Sequence, residues 1–303
     1  MVTSRLAGVL ALAFAFSLLV VPWSAARHAS AGGFPVTIGK VTIAKEPVRI
    51  VSLSPTATED LFAIGAGRQV VAVDDQSNYP PNAPKTKLSG YTPNAEAVAA
   101  YKPDLVVVST DANGLLSALA KLGIPTLLEP PATGLAGAYT QLDTLGKATG
   151  HPAGTRATIA RLRQKIAATI ASVPKSSHLS FYEELSPDYY SATSTTFAGQ
   201  VLKLLGLRDI ADGAAKSGSG YPKLSAEYIV SANPELIVLA DTKCCGQTAA
   251  KVKARAGWGT IAAVEHNGIV GVSDDIASRW GPRIADFMQA VAVKVRAVAA
   301  AAK

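Results

Sequence analysis

The chain has 303 residues, 49% of them hydrophobic, with 29 Lys and Arg against 22 Asp and Glu and a formal charge of +7. That is enough chain for two lobes with cores of their own. The positive charge is scattered, without a dense basic block or interleaved aromatics, which excludes a nucleic-acid-binding surface.

In chain order, Arg5 precedes an apolar run from Leu6 to Val21, and Ala29-Ser30-Ala31 offers a small-x-small cleavage site. The pattern is that of a secretory signal peptide over residues 1–31, cleaved after Ala31. The run is about 16 residues, short of the roughly 20 that span a bilayer. Retention as an anchor is the alternative. No cysteine closes the run, so it offers no lipid attachment, and the mature protein is expected to be exported, periplasmic or extracellular.

Val36-Thr37-Ile38 and Val41-Thr42-Ile43 alternate about Gly39-Lys40 and predict a small hairpin. Arg49 to Ser52 reads as the first central strand. Ser54-Pro55-Thr56 turns the chain into a helix that ends at Gly65, with Ser54 or Thr56 as cap and Pro55 at the first helical position. Gln69 to Val73 is the next strand. Two polar, proline-bearing loops follow, one holding Tyr79 and one holding Tyr91. Further strands are predicted at Leu105 to Val108 and Thr126 to Leu128, with helices at Leu115 to Leu122 and Leu135 to Leu145.

Ile159, Leu162, Ile166, Ile170 and Val173 then recur at spacings of three and four, the period of an amphipathic helix, and Pro174 stops it. Beyond it come a strand at Leu179 to Glu183 and a loop with Tyr189 and Tyr190. A helix at Phe197 to Leu205, a Gly- and Ser-rich stretch from Gly213 to Tyr221 and a strand at Gly268 to Val272 follow. A closing helix runs from Ile284 to about Ala299.

One segment occurs twice. Ala95-Glu96-Ala97 through Pro103-Asp104-Leu105-Val106-Val107-Val108 matches Ala226-Glu227-Tyr228 through Pro234-Glu235-Leu236-Ile237-Val238-Leu239 at a constant offset. Each copy reads as a short helix, a proline, an acid and a buried parallel strand. The copies flank the amphipathic helix. The fold class is therefore α/β, with two Rossmann-like lobes joined by a single long interdomain helix: residues 32–150, linker 151–174 and residues 175–303.

The catalytic inventory is poor. G-x-S-x-G, Walker A, H-E-x-x-H and a strand-following GxGxxG are all missing from the sequence, so no catalytic residue is assigned. His151, His178 and His266 have no Cys or acidic cluster at ligand spacing, and no metal site is expected. Cys244 and Cys245 are adjacent, which excludes a long-range staple. A vicinal disulfide is expected in an oxidising compartment, although its short Cα separation is strained; intermolecular pairing or free thiols are the alternatives.

What remains is a cleft walled by aromatics on loops of both halves: Tyr79, Tyr91, Tyr189, Tyr190, Tyr221 and Trp280. Such walls suit a large, flat, partly apolar ligand, and Arg279 is placed to meet an anionic group on it.

Arg49-Ile50-Val51-Ser52-Leu53-Ser54-Pro55-Thr56-Ala57-Thr58-Glu59, Ser77-Asn78-Tyr79-Pro80-Pro81 and Lys102-Pro103-Asp104-Leu105-Val106 together resemble the helical-backbone substrate-binding proteins of ABC importers. Ser278-Arg279-Trp280-Gly281-Pro282-Arg283 adds to the likeness. The family carries cobalamin, haem and ferric siderophores, and this pattern is most similar to its cobalamin-binding members.

The resemblance implies pocket roles for Tyr79, Arg279, and Tyr91 and Tyr221, the last two standing where those members have tryptophan. It also implies that Glu96 and Glu227, one per lobe, dock on arginines of a permease dimer. Read from the residues alone, both are solvated first-turn helix acids. The expectation is a monomer without a cofactor of its own, binding cobalamin, or alternatively haem or a ferric siderophore, for delivery to a permease.

Overall fold

The computed structural model describes Met1 and residues 33–214 and 220–301. The expected export segment and part of the Gly213–Tyr221 stretch lie outside the described residues. The hairpin forms as read, from β1 (Val36–Ile38) and β2 (Val41–Ile43), paired antiparallel.

The first lobe runs β3 (Ile50–Leu53), α1 (Pro55–Ala63), β4 (Val70–Val73), α2 (Ala95–Ala99), β5 (Leu105–Val108), α3 (Leu115–Lys121), β6 (Thr126–Leu128) and α4 (Leu135–Thr149). Its sheet has the order β4-β3-β5-β6, with all pairs parallel. The linker is α5 (Pro152–Ala171).

The second lobe runs β7 (Ser180–Glu184), α6 (Phe197–Lys203), β8 (Arg208–Asp209), α7 (Ala226–Ala232), β9 (Leu236–Leu239), α8 (Ala249–Lys253), α9 (Ala262–Glu265), β10 (Ile269–Gly271), α10 (Asp274–Ala277) and α11 (Ile284–Ala301). Its sheet order, β8-β7-β9-β10, is again parallel and repeats the plan of the first.

The internal repeat goes deeper than its residue pattern. Asn94 and Ser225, at equivalent positions, cap α2 and α7 by accepting from Ala97 N–H at 2.7 Å and Tyr228 N–H at 3.1 Å. Lys102 and Asn233 both take positive φ, 50° and 46°, to turn the chain out of the helix before the proline.

The acid that follows does the same job twice. The Asp104 carboxylate accepts from Val48 and Arg49 N–H, at 3.0 and 2.9 Å, and pins the start of β3. The Glu235 carboxylate accepts from Ser180 N–H at 2.8 Å and pins the start of β7. Because Ile50 pairs with Leu105 and Phe181 with Leu236, the first strands of the two lobes are in matching register.

Strand alternation sorts each sheet into two faces. Ile50, Leu105 and Val107 of the first lobe and Phe181, Leu236 and Val238 of the second share one core with Leu162 and Ile166 of α5 and Met288 and Val291 of α11. The opposite faces cover separate cores, one around Val51, Val106 and Leu119 and one around Tyr182, Ile237 and Trp258. The lobes are thus bound into one body along α5 and α11.

The buried stripe of α5 differs from the expected one. Leu162 and Ile166 are buried as read, but Ile159 and Ile170 are half-buried, and Thr155, Thr158 and Thr169 fill the rest. Thr158 donates to the Ala63 carbonyl at 2.8 Å, so a hydroxyl stands where an aliphatic side chain was expected and closes the end of α1. Gly154 permits this approach: a Cβ there would lie 1.8 Å from the Ile64 carbonyl oxygen. Two short elements, β8 and α8, carry no periodicity that the sequence could announce.

Candidate functional site

The carboxyl ends of both parallel sheets face a cleft between the lobes, where open α/β folds place ligands. Two cavities occupy it. The first, about 510 Å³, is lined by Ser54, Tyr91, Thr110, Cys244 and Arg279, among others. The second, about 430 Å³, is lined by Pro131, Glu183, Phe197 and Tyr221. Ser278 and Trp280 belong to both walls. Trp280 is therefore the partition of the cleft, and its indole N–H donates to Gln141 of α4 at 2.7 Å, fixing a second-lobe ring on a first-lobe helix.

The expected aromatics divide into three groups. Tyr91, 80% exposed, and Tyr221, 60% exposed, stand in the walls of the first and second cavity respectively, one from each lobe. Tyr79 lines neither cavity; it lies under the Arg283 guanidinium, 4.2 Å from the ring centroid.

Tyr189 and Tyr190 line neither cavity either. Tyr189 stacks on the buried Trp258, with centroids 5.8 Å apart, and Tyr190 meets Lys223 at 5.6 Å. The exposed loop read from the sequence is thus pinned by an aromatic pair. Trp258, set far along the chain, gives no local sign of that pairing.

Arg279 sits at the first cavity but is not a spare cation. Its guanidinium donates to Glu59 Oε1 at 2.8 Å, Asn78 Oδ1 at 3.0 Å, the Gln76 carbonyl at 3.0 Å and Asp275 Oδ1 at 2.9 Å. Arg283 adds two bonds to the same Glu59 carboxylate, at 2.8 and 2.6 Å. Glu59 is buried in the first lobe, so two second-lobe arginines clamp the lobes together through it. The likeness of residues 53–59 to a family pattern marks Glu59, but only the fold assigns it this clamp.

Other buried acids are handled differently. Glu184, on the outward-facing parity of β7, is fully buried and bound by both terminal nitrogens of Arg255, at 2.5 and 2.6 Å. The Arg255 guanidinium also lies 4.5 Å from the Trp258 ring centroid. Near this pair, burial first and the Glu184 charge second push the Asp241 carboxyl up to about 7.

Asp60, beside Glu59 on α1, is raised well above its ordinary range by burial, with the charges of Glu59 and Glu129 adding to it. Asp275 is lowered: burial opposes its charge, but the hydrogen bond from Lys243 and the Arg279 charge prevail.

Glu183 stands apart. It is fully buried, it lines the second cavity, and neither carboxyl oxygen has a hydrogen-bond partner among the described residues. Burial, with the Asp209 charge adding to it, pushes its carboxyl up to about 8. Two consecutive acids in an otherwise apolar strand were the available signal for it.

Cys244 and Cys245 are joined as a disulfide in the structure. Their loop is held by Asp274, which accepts from Lys243 N–H at 2.9 Å and Cys244 N–H at 2.7 Å. Glu96 and Glu227 are exposed in the first turns of α2 and α7, and neither forms an ion pair among the described residues. No cluster of three or more potential metal ligands occurs among the described residues, and none of their helices is long and apolar enough to cross a membrane.

A family model described as periplasmic binding protein matches residues 50–275, the whole of both sheets and the linker. The chain belongs to that family. It is a class III substrate-binding protein, a non-catalytic component of ABC importers located in the cell envelope, and the two lobes on one long helix are the fold of that class.

An uncharacterized ABC transporter substrate-binding lipoprotein of Bacillus subtilis is 31% identical over 278 residues, covering 86% of each chain. A cobalamin-binding protein of Halobacterium salinarum is 34% identical over 234 residues, covering 72% of this chain and 63% of its own length. Among solved structures, a Staphylococcus epidermidis protein described as a possible iron-binding, periplasmic solute-binding protein superposes with a TM-score of 0.72 at 26% identity. It covers 83% of this chain and 99% of the other.

Proposed function

We propose that this protein captures cobalamin or a related corrinoid outside the cytoplasm and delivers it to an ABC permease. The observation that carries the reading is the divided cleft: two cavities of about 510 and 430 Å³ on either side of Trp280, with one exposed tyrosine ring from each lobe in their walls. A ligand that fills both must be large and must offer flat apolar faces to rings and polar groups to the edges. The cobalamin-binding relative from Halobacterium salinarum supports that choice among metal chelates.

Capture needs no covalent chemistry. Ligand enters between the lobes, and Tyr91, Tyr221 and Trp280 displace water from its faces. The Glu59–Arg279–Arg283 clamp and the α5–α11 packing limit how far the lobes open, so much of the binding energy is preorganised. Glu96 and Glu227 lie on the two lobes, exposed and without ion-pair partners among the described residues, and are suited to meet cationic groups on a two-subunit permease.

A second reading, an iron chelate or haem, is favoured by the likeness to the Staphylococcus epidermidis protein. A haem iron would take a tyrosine oxygen, and Tyr221 is better placed for this than Tyr79, which is covered by Arg283.

Parallel titrations with cyanocobalamin, haemin and a ferric hydroxamate separate the readings. Saturable one-to-one binding of cyanocobalamin, weakened about tenfold or more by Tyr91→Ala and untouched by Glu96→Ala, is the expected result. Binding of haemin with a Soret shift, or of the hydroxamate, with none of cyanocobalamin, would overturn the corrinoid assignment.

A further inference from the structure

Glu183 is a cleft group whose chemistry the capture mechanism above does not use. It lies on β7 two residues after Phe181, and so on the inward parity of the strand, at its carboxyl end. Neither of its oxygens is satisfied among the described residues, although the side chain is fully buried. A buried polar group left without a partner is costly, and a native fold keeps one where a ligand or bound group completes it.

The surroundings narrow what that partner is. Among the described residues no Lys or Arg lines the second cavity, whose walls include Pro131, Leu185, Phe197 and Trp280. The neighbouring titratable groups are Asp209 on β8 and Tyr221 at the rim. Asp209 is itself an acid, pushed up to about 7 chiefly by burial. These neighbours disfavour a carboxylate, and no described residue compensates one as Arg255 compensates Glu184.

A neutral carboxyl offers one O–H donor and one carbonyl acceptor, side by side. A primary carboxamide offers the complementary acceptor and N–H donor, and the two close a pair of hydrogen bonds with no net charge. A ligand carboxylate would bring an uncompensated charge into an apolar wall, and an ammonium would need an ionised Glu183 there.

We propose that Glu183 is a hydrogen-bonding subsite for an uncharged carboxamide arm of the ligand, seated in the second cavity while the flat body of the ligand lies against Trp280. This deepens the corrinoid reading and rests on it, corrinoids being macrocycles that carry peripheral carboxamides.

The deciding experiment uses protein labelled with ¹³C at glutamate carboxyls, with Glu183→Gln identifying the Glu183 resonance. Propionamide at millimolar concentration should shift that resonance saturably, and propylammonium and propionate should not. In cyanocobalamin titrations, Glu183→Gln should stay within about threefold of wild type, since an amide keeps a donor and an acceptor, and Glu183→Leu should bind at least tenfold more weakly.

A shift with propylammonium, no shift with propionamide, or wild-type affinity in Glu183→Leu would overturn the proposal. If the wild-type protein binds no cyanocobalamin, the corrinoid reading falls, and the propionamide result alone still decides for or against the Glu183 subsite.

Discussion

Ser52 and Glu183 occupy the same position in two copies of one plan. Ser52 of β3 pairs with Val107 of β5 and Glu183 of β7 with Val238 of β9, so the equivalence follows from matching registers. Both side chains are fully buried. In the first lobe the hydroxyl of Ser52 accepts from Thr58 at 2.9 Å and donates to the Ser54 carbonyl at 3.2 Å, because α1 starts immediately after β3 and brings Thr58 back over the strand.

In the second lobe β7 runs instead into a long loop before α6, so no helix returns to cover the equivalent site, and the residue there is an acid beside a cavity, without a hydrogen-bond partner among the described residues. The scaffold is duplicated, and the contents of the cleft are not. One lobe seals its strand end with its own hydroxyls, and the other leaves a wall for a ligand.

The next position repeats the lesson with charge. Leu53 packs into the outer core of the first lobe, and its counterpart Glu184 enters the second core only with Arg255 beside it. Arg255→Ala would leave a buried carboxylate uncompensated and remove the cation from the Trp258 ring. It should destabilise by about 4 kcal/mol in urea unfolding, the largest single effect expected here. A loss below about 1 kcal/mol would mean that the two lobes tolerate charge at this position alike.

A middle-sized effect tests the likeness itself. Asp104→Ala and Glu235→Ala each remove a carboxylate that holds the backbone at the start of a first strand, and each should cost about 2 kcal/mol. Similar losses in the two variants would support a true structural duplication. A loss confined to one of them would break the comparison.

The smallest effect is a pH dependence. An acid whose folded pKa lies above its unfolded value holds its proton more tightly in the folded state. Glu183 therefore stabilises the protein at low pH, and that contribution is lost as pH rises from its ordinary 4.5 through about 8. Glutamine cannot ionise, so the melting temperature of Glu183→Gln relative to wild type should climb between pH 5 and pH 8.5. A difference that stays flat or falls would show that Glu183 is not an isolated buried acid.

The sheets, the linker and the repeat were legible in the sequence because they rest on local signals: strand-length apolar runs, Ser54-Pro55 at a helix start, and a 3.6-residue period across α5. Tyr91, Tyr221 and Trp280 could be read as cleft residues because each is an aromatic on a loop at a strand end. The positions of Tyr79, Tyr189 and Tyr190 could not be read, since they depend on Arg283, Trp258 and Lys223, distant or cross-loop partners that no periodicity announces. Arg279 was visible as a cation beside the cleft. That its charge is consumed by Glu59 and Asp275 depends on how the lobes meet, which the linear pattern does not encode.

The most direct test of a ligand shared by both halves of the cleft is calorimetric titration of the purified protein with cyanocobalamin, in wild type and in Trp280→Ala. The prediction is one site per chain with micromolar or tighter dissociation, weakened at least tenfold when the partition ring is removed. No binding, or binding that Trp280→Ala leaves unchanged, would contradict capture of a corrinoid between the lobes.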